Sequence, residues 1–274
     1  MTEKTSLESA ESKKVSEEEL PEVNVYSQVS FKSKGEKLQL ILPSQPVEPG
    51  ENNWSEVWLQ LKHRLNGSER FWQPGTKVYL EGKNQLLDVR QLQAISDALQ
   101  AVELELERVC TSRRQTAVAA ATVGYSVEQK TPTSSLSSTT EENQQDPWAE
   151  PLYLQTTVRS GVEIRHPGTV IILGDVNPGG AIIAAGDIFV WGHLRGIAHA
   201  GSEGDRQCRI MALQMKPTQL RIADTVARAP AQNPQQLEPE LAYVTKSSIR
   251  LTKAIDFMRT HSFSGQKIGW TNIN

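Results

Sequence analysis

The sequence is poor in the groups that usually announce chemistry. Only two cysteines occur in 274 residues, Cys110 and Cys208, far apart and outside any C-x-x-C or Cys/His cluster. Neither a metal site nor a disulfide framework is expected, and both read as reduced thiols. Aromatic residues make up 6% of the chain and charged residues 22%. No window approaches the ~18 apolar residues of a membrane span, and the acidic start lacks the basic and apolar regions of a secretory signal. A cytoplasmic location is therefore expected. The formal net charge of −3 gives no global attraction for nucleic acid or for an anionic lipid surface. Most of that charge is local, because the first 22 residues hold seven Glu against three Lys.

Composition divides the chain. Residues 1–23 carry almost no large apolar side chains and read as a disordered acidic tail. Residues 127–150, with eight Ser or Thr between Thr131 and Thr140, read as a flexible linker. Residues 228–240 form a Pro/Gln-rich linker, and residues 241–274 read as closing strands, a short helix and a polar tail. Between tail and linker, residues 24–126 form a small α/β domain. Gln28–Lys32 and Lys37–Leu42 flank Gly35 as a hairpin. Asn53 with Glu56 opens a helix whose apolar stripe is Trp54, Val57, Trp58, Leu61 and Leu65. Thr76–Leu80 is a strand, Asp88 with Gln91 boxes a second helix, Val102, Leu104 and Leu106 alternate as a strand, and Ser112 with Gln115 opens a third helix. The order ββαβαβα packs helices on one mixed sheet. Lys62, Arg64 and Phe71, with Trp72 and Arg70 nearby, form a basic and aromatic patch at the end of the first helix. A solvated helix end with staple aromatics is the plainer account of it.

The informative feature lies in residues 151–227. Gly168, Gly174, Gly180, Gly186 and Gly192 recur every six residues, with Ala198 and Gly204 continuing the count. In phase with them run Ile164, Val170, Val176, Ile182, Ile188, Leu194 and Ala200. A period of six suits a short strand plus a corner, with one aliphatic side chain pointing inward per repeat and glycine relieving a strained φ at each corner. The expected architecture is a triangular β-solenoid of ~18 residues per coil. So few coils leave exposed edges and favour a dimer.

Arg159-Ser160-Gly161, followed by Gly174-Asp175-Val176-Asn177-Pro178-Gly179 and by Gly186-Asp187-Ile188-Phe189-Val190-Trp191-Gly192-His193-Leu194-Arg195-Gly196, closely resembles the C-terminal domain of the bacterial septum-site MinC family. The likeness spans residues 157–223, and the preceding block is similar to the family's N-terminal domain in size and element order only. The resemblance implies a right-handed β-helix that forms a homodimer and binds the membrane-associated ATPase MinD, with an N-terminal domain that antagonises polymers of the tubulin-like FtsZ. It implies no catalysis and no cofactor, and membrane contact only through the partner. The family's Arg-Ser-Gly-Gln contact for MinD falls on Arg159, Ser160 and Gly161, with Val162 in place of the amide, which removes a donor and an acceptor. The basic edge of Lys62, Arg64 and Phe71 is the candidate contact for FtsZ.

Other readings have their own residues. Hexad solenoids also build acyltransferases, where a His acts as base, and His166, His193 and His199 keep that class open, although none has a carboxylate nearby in sequence to orient it. A solenoid scaffold that polymerises end to end is a further alternative. Gly174–Gly180 lacks the Lys-Ser/Thr ending and the helix of a phosphate loop. Asp175 and Asp187, twelve apart, suggest neighbouring turns and make a poor metal site by themselves. A basic helix over Ala254–Arg259 has too short an apolar face to favour membrane adsorption.

Overall fold

The computed structural model describes residues 28–44, 54–67, 72–130, 149–227, 238–265 and 269–272. The acidic tail, the Asn53 cap, Phe71, residues 131–148 and residues 228–237 lie outside the described residues.

The N-terminal block starts with β1 (Ser30–Lys34) and β2 (Lys37–Ile41), an antiparallel hairpin turned at Gly35. Then follow α1 (Trp54–Leu65), β3 (Thr76–Lys83), α2 (Val89–Gln100), β4 (Leu104–Thr111), α3 (Arg114–Val123) and β5 (Ser126–Gln129). Strands β2, β3, β4 and β5 pair in parallel in that order. Three right-handed crossovers stepping one way place the three helices on one face of the sheet. Leu61, Leu80, Leu92, Ile95 and Leu99 fill the space beneath them with no exposed surface. At α2 the Asp88 side chain accepts from the Gln91 amide while the Gln91 side chain accepts from the Asp88 amide, so the sequence signal is a real capping box. At α3 the expected Ser112 cap is not made. The cap residue is Arg113, and the Ser112 hydroxyl donates to the Lys83 carbonyl instead, tying α3 to the end of β3.

Two boundaries differ from the sequence expectation. The block ends in a fifth strand, β5, inside the span read as linker, because Val127 is apolar enough to be buried between β4 and the next strand of the sheet. The final residues are not a polar tail either. β17 (His261–Ser264) and β18 (Gly269–Asn272) pair as a hairpin whose Trp270 packs on Phe257.

The C-terminal part is mostly β, and three parallel ladders share one apolar interior. One joins β7 (Glu163–His166), β9 (Ala181–Ala184), β11 (Ile197–Ala200) and β13 (Gln219–Ile222). A second joins β6 (Ala149–Leu154), β8 (Gly168–Ile172), β10 (Ile188–Leu194) and β12 (Ile210–Met215). Single bridges form the third, Val158 to Val176 to Leu194. Ile164 faces Ile182, Val170 faces Ile188 and Val158 faces Val176, each pair 18 residues apart. All six inward positions from Ile164 to Leu194 are at most 1% exposed. The count then slips. Ile182 pairs with Ala198 rather than Ala200, so Ala198 points inward and does not continue the glycine column. Two antiparallel additions close the far end: β14 (Thr225–Ala227) lies on β13, and β15 (Glu240–Val244) lies on β12 with β16 (Ile249–Lys253) beyond it.

The corner glycines work for a different reason from the one expected. Of Gly168, Gly174, Gly180, Gly186 and Gly192, only Gly174 has a positive φ, at +147°. What they share is contact with the previous coil. A Cβ on Gly180 would lie 2.9 Å from the Arg159 carbonyl oxygen, one on Gly174 2.5 Å from that of Thr156, and one on Gly186 2.6 Å from Thr169 Oγ1. On Gly168 and Gly192 it would collide with the carbonyls of Ala149 and Gly174. Among the described residues no helix is long and apolar enough to cross a membrane.

Candidate functional site

The sequence singled out Arg159-Ser160-Gly161-Val162, and these residues form one turn at the start of the coil. The Val162 amide donates to the Arg159 carbonyl at 3.1 Å, and Gly161, at φ +82°, supplies the left-handed residue the turn needs. The Gly161 amide donates to the Gly179 carbonyl at 3.0 Å, stacking this turn on the next one, where the Gly180 amide donates to Asn177. Arg159, Ser160 and Gly161 are exposed, and among the described residues the Arg159 guanidinium has no partner. Val162 packs against the apolar interior. An aliphatic side chain therefore fits the fourth position.

Stacking by 18 places two further groups in line with Arg159 that no local pattern revealed. Asn177 occupies the equivalent place one coil on, and Arg195 the place after that. Arg195 donates to Asn177 Oδ1 at 2.7 Å and to Asp175 Oδ2 at 3.1 Å. Asp175 also accepts from the His193 amide at 2.8 Å and meets His193 Nδ1 at 3.1 Å. The amide bond from His193 holds the Asp175 carboxyl below its usual range against a small burial penalty, with the His193 ring and Arg195 adding to it. The result is an exposed edge with Arg159 at one end and a braced Arg195 two coils on.

The same geometry revises two expectations. His193 does have a carboxylate partner, Asp175, which sits 18 residues back and is a neighbour only once the coil is formed. Asp175 and Asp187 do not form a pair, since twelve residues are two thirds of a coil. Asp187 sits at another corner, where it accepts from the Arg209 amide at 2.7 Å and its guanidinium at 2.8 Å. Among the described residues no three His, Cys, Asp or Glu gather as a metal site. Burial raises both thiols, Cys110 to about 12 and Cys208 further, so neither is a nucleophile at neutral pH.

A second surface was missed altogether. Facing outward from β6, β8 and β10 are Tyr153, Ile171 and Phe189 in one row, and Leu173, just after β8, and Trp191 of β10 are exposed as well. Trp191 is 61% exposed and Leu173 42%. The available signal was an 18-residue recurrence of large apolar residues out of phase with the inward column.

In the N-terminal block, Lys62 and Arg64 are exposed as expected. The Lys62 ammonium lies over the Trp58 ring at 4.8 Å, and Arg64 donates to Gln28 at 3.4 Å. Trp72, expected beside that patch, packs against Phe31 with ring centroids 5.6 Å apart.

Residues 152–254 match a family described as Septum formation inhibitor MinC, C-terminal domain. A Probable septum site-determining protein MinC from Nostoc is 53% identical over 85% of this chain, which spans 63% of that relative's length. The Gloeobacter violaceus protein of the same name is 51% identical, covering 85% of this chain and 81% of the relative. Among solved structures, a chain from the MinC:MinD cell division protein complex of Aquifex aeolicus is 36% identical, covers 40% of this chain and 92% of that one, and has a TM-score of 0.37. At 51% identity over 85% of this chain and 81% of that relative's length, the chain belongs to the MinC family of septum site-determining proteins.

Proposed function

We propose that this protein is a division inhibitor that acts by contact rather than catalysis, recruited from the cytoplasm to the membrane by MinD, and that it prevents or destabilises misplaced FtsZ polymers. The observation that carries the recruitment half is the exposed turn of Arg159, Ser160 and Gly161, with Arg195 aligned two coils on. A planar guanidinium without a partner among the described residues suits a carboxylate or backbone oxygen of another protein, and Gly161 lets that backbone approach. Binding to ATP-loaded MinD on vesicles, followed by co-sedimentation, tests it. Arg159→Ala and Arg195→Ala should each weaken binding at least tenfold, and unchanged binding by both removes the site.

The three ladders and the 18-residue register support reading residues 151–227 as a right-handed triangular β-helix, the dimerisation and partner-binding domain. Its apolar row of Tyr153, Ile171, Leu173, Phe189 and Trp191 suits a second copy, because a repeat surface can meet itself about a twofold axis. Strands β14 and β15 cover the far end, which argues for a closed dimer over an end-to-end scaffold. Sedimentation should give one discrete mass, halved by Trp191→Glu.

Residues 24–126 form the effector domain in this reading, with Lys62 and Arg64 facing the filament and Phe71 the third residue of the contact. Pelleting of FtsZ polymer with the full chain checks that half. Lys62→Glu with Arg64→Glu should restore pelletable polymer, and inhibition left intact would move the contact elsewhere.

A further inference from the structure

The coil should begin with a bare edge at β7, yet β5 of the N-terminal block lies along it. The two strands pair in parallel, Val127 opposite Ile164 and Glu128 opposite Arg165. β9 occupies the other side of β7, so β5 stands where one more coil would lie. Val127 and Ile164 are both buried, and the apolar interiors of block and coil are one continuous cluster.

Polar side chains fasten the same seam. The Glu163 amide donates to Ser126 Oγ at 3.1 Å. From β4, Arg108 reaches Glu163 at 2.7 Å and Glu128 at 3.5 Å, while Arg165 holds the same Glu163 oxygen from the coil side at 2.7 Å. The Arg108 side chain is only 17% exposed, which makes this bridge less screened than a surface pair. Burial works against the Glu163 charge, but the hydrogen bonds from Arg165 and Arg108 outweigh it and hold the carboxyl below its usual range. Arg114 of α3 meets Glu150 of β6 at 2.7 Å. His166 spans the Gln129 side chain at 3.2 Å and the Glu150 carbonyl at 3.0 Å.

We infer that the N-terminal block docks on the coil by strand addition, with β5 as the docking strand and Arg108 as the residue that locks it. A parallel edge leaves a row of backbone N–H and C=O groups that need partners, and β5 supplies them within the same chain. Block and coil then move as one body. For the recruited inhibitor proposed above, the turn Arg159–Val162 runs straight into β7, so docking sets the direction in which the effector block points from the recruiting surface. That consequence rests on the proposed function, whereas the docking does not.

Hydrogen–deuterium exchange of the full chain tests the seam. Amides of residues 126–129 and 163–166 should be protected in the native protein. Arg108→Glu sets a third carboxylate beside Glu128 and Glu163 and should raise exchange in both segments at least tenfold, leaving β9 and β11 unchanged. Should Arg108→Glu also loosen β3, Glu163→Arg decides from the coil side with the same expected rise. The double exchange R108E/E163R should return protection to within about threefold of the native protein. Fast exchange at the seam of the native chain, or no response to either single change, overturns the inference. Loss of MinD binding with a protected seam would instead count against the recruitment site.

Discussion

Glycine serves two purposes in this molecule, backbone shape in both halves and close backbone stacking in the coil. In the N-terminal block Gly35 and Gly75 sit at φ +63° and +76° with nothing within 4 Å of where a Cβ would be. They are there for a backbone shape. In the coil, Gly186 and Gly192 have no positive φ, and a Cβ at either would strike the preceding coil. They are there for proximity, since successive coils stack backbone on backbone. The block is held apart by leucines beneath helices, and the coil is drawn together by the absence of side chains at its corners. Order in the coil therefore depends on positions that bear no side chain at all.

The sharpest way to break that contrast is to add one carbon to each kind of glycine. Gly192→Ala would drive a Cβ into the Gly174 carbonyl and within 2.5 Å of Asp175 Oδ1. Backbone cannot yield as a flexible side chain can, so a loss of about 4 kcal/mol or more is expected, beyond ordinary overpacking. Gly75→Ala meets no atom and incurs only the left-handed φ, about 1 kcal/mol. Urea unfolding of both variants measures the difference, and equal losses would end the distinction.

A smaller effect separates the regions at their seam. Burial pushes the His166 imidazole down to about 4 from 6.5, with the Glu150 carbonyl opposing and the Arg114 charge assisting. A depressed histidine is neutral in the native state, so the unfolded chain binds the extra proton. Stability is intact above about pH 6.5 and falls as the pH drops toward 4. Between pH 7 and pH 5 this histidine should remove about 2 kcal/mol. The ring meets the Gln129 side chain and feels the charge of Arg114, which itself pairs with Glu150. His166→Gln should remove that part of the slope. A variant with the native pH profile would show that the seam does not sense the proton.

What could be read from the sequence follows from the range of the interaction. Asp88 and Gln91 are three residues apart and their bond is local, so α2 and its boundaries were legible. The inward column from Ile164 to Leu194 was legible because six residues is a short period carried by side-chain type alone. Partners 18 residues apart were not, which is why the Arg195–Asn177–Asp175 cluster and the His193–Asp175 pair emerge only in three dimensions, while the outward row ending at Trp191 left only a long-period signal. Local pattern also misled in two places. Gly192 and Ala198 share a six-residue phase but sit in different roles once the coil shortens by two residues at Gly196, whose Cβ would collide with the Gly180 carbonyl. Ser126–Gln129 contains one large apolar residue, too little to mark a strand, and its burial depends on Ile164, 37 residues further on.

The smallest test returns to the N-terminal block, where local bonds are what hold each element. Asp88 satisfies one of the amides left open at the start of α2, and Gln91 returns a bond to the Asp88 amide. Asp88→Ala removes the acceptor and should cost about 1 kcal/mol, with Gln91→Ala costing less because the Asp88 amide can turn to water. The cap also sits beside Leu87, whose amide donates to the buried Thr116 hydroxyl at 2.9 Å and so fixes the approach to α2 from α3. That second tie survives Asp88→Ala, so the helix should fray at its first turn without leaving the sheet. Exchange of the first α2 amides should rise while Leu92 and Ile95 stay protected. If instead the whole helix loosened, the block would be held by its caps rather than by the leucines beneath its helices, and the contrast with the coil would have to be drawn differently.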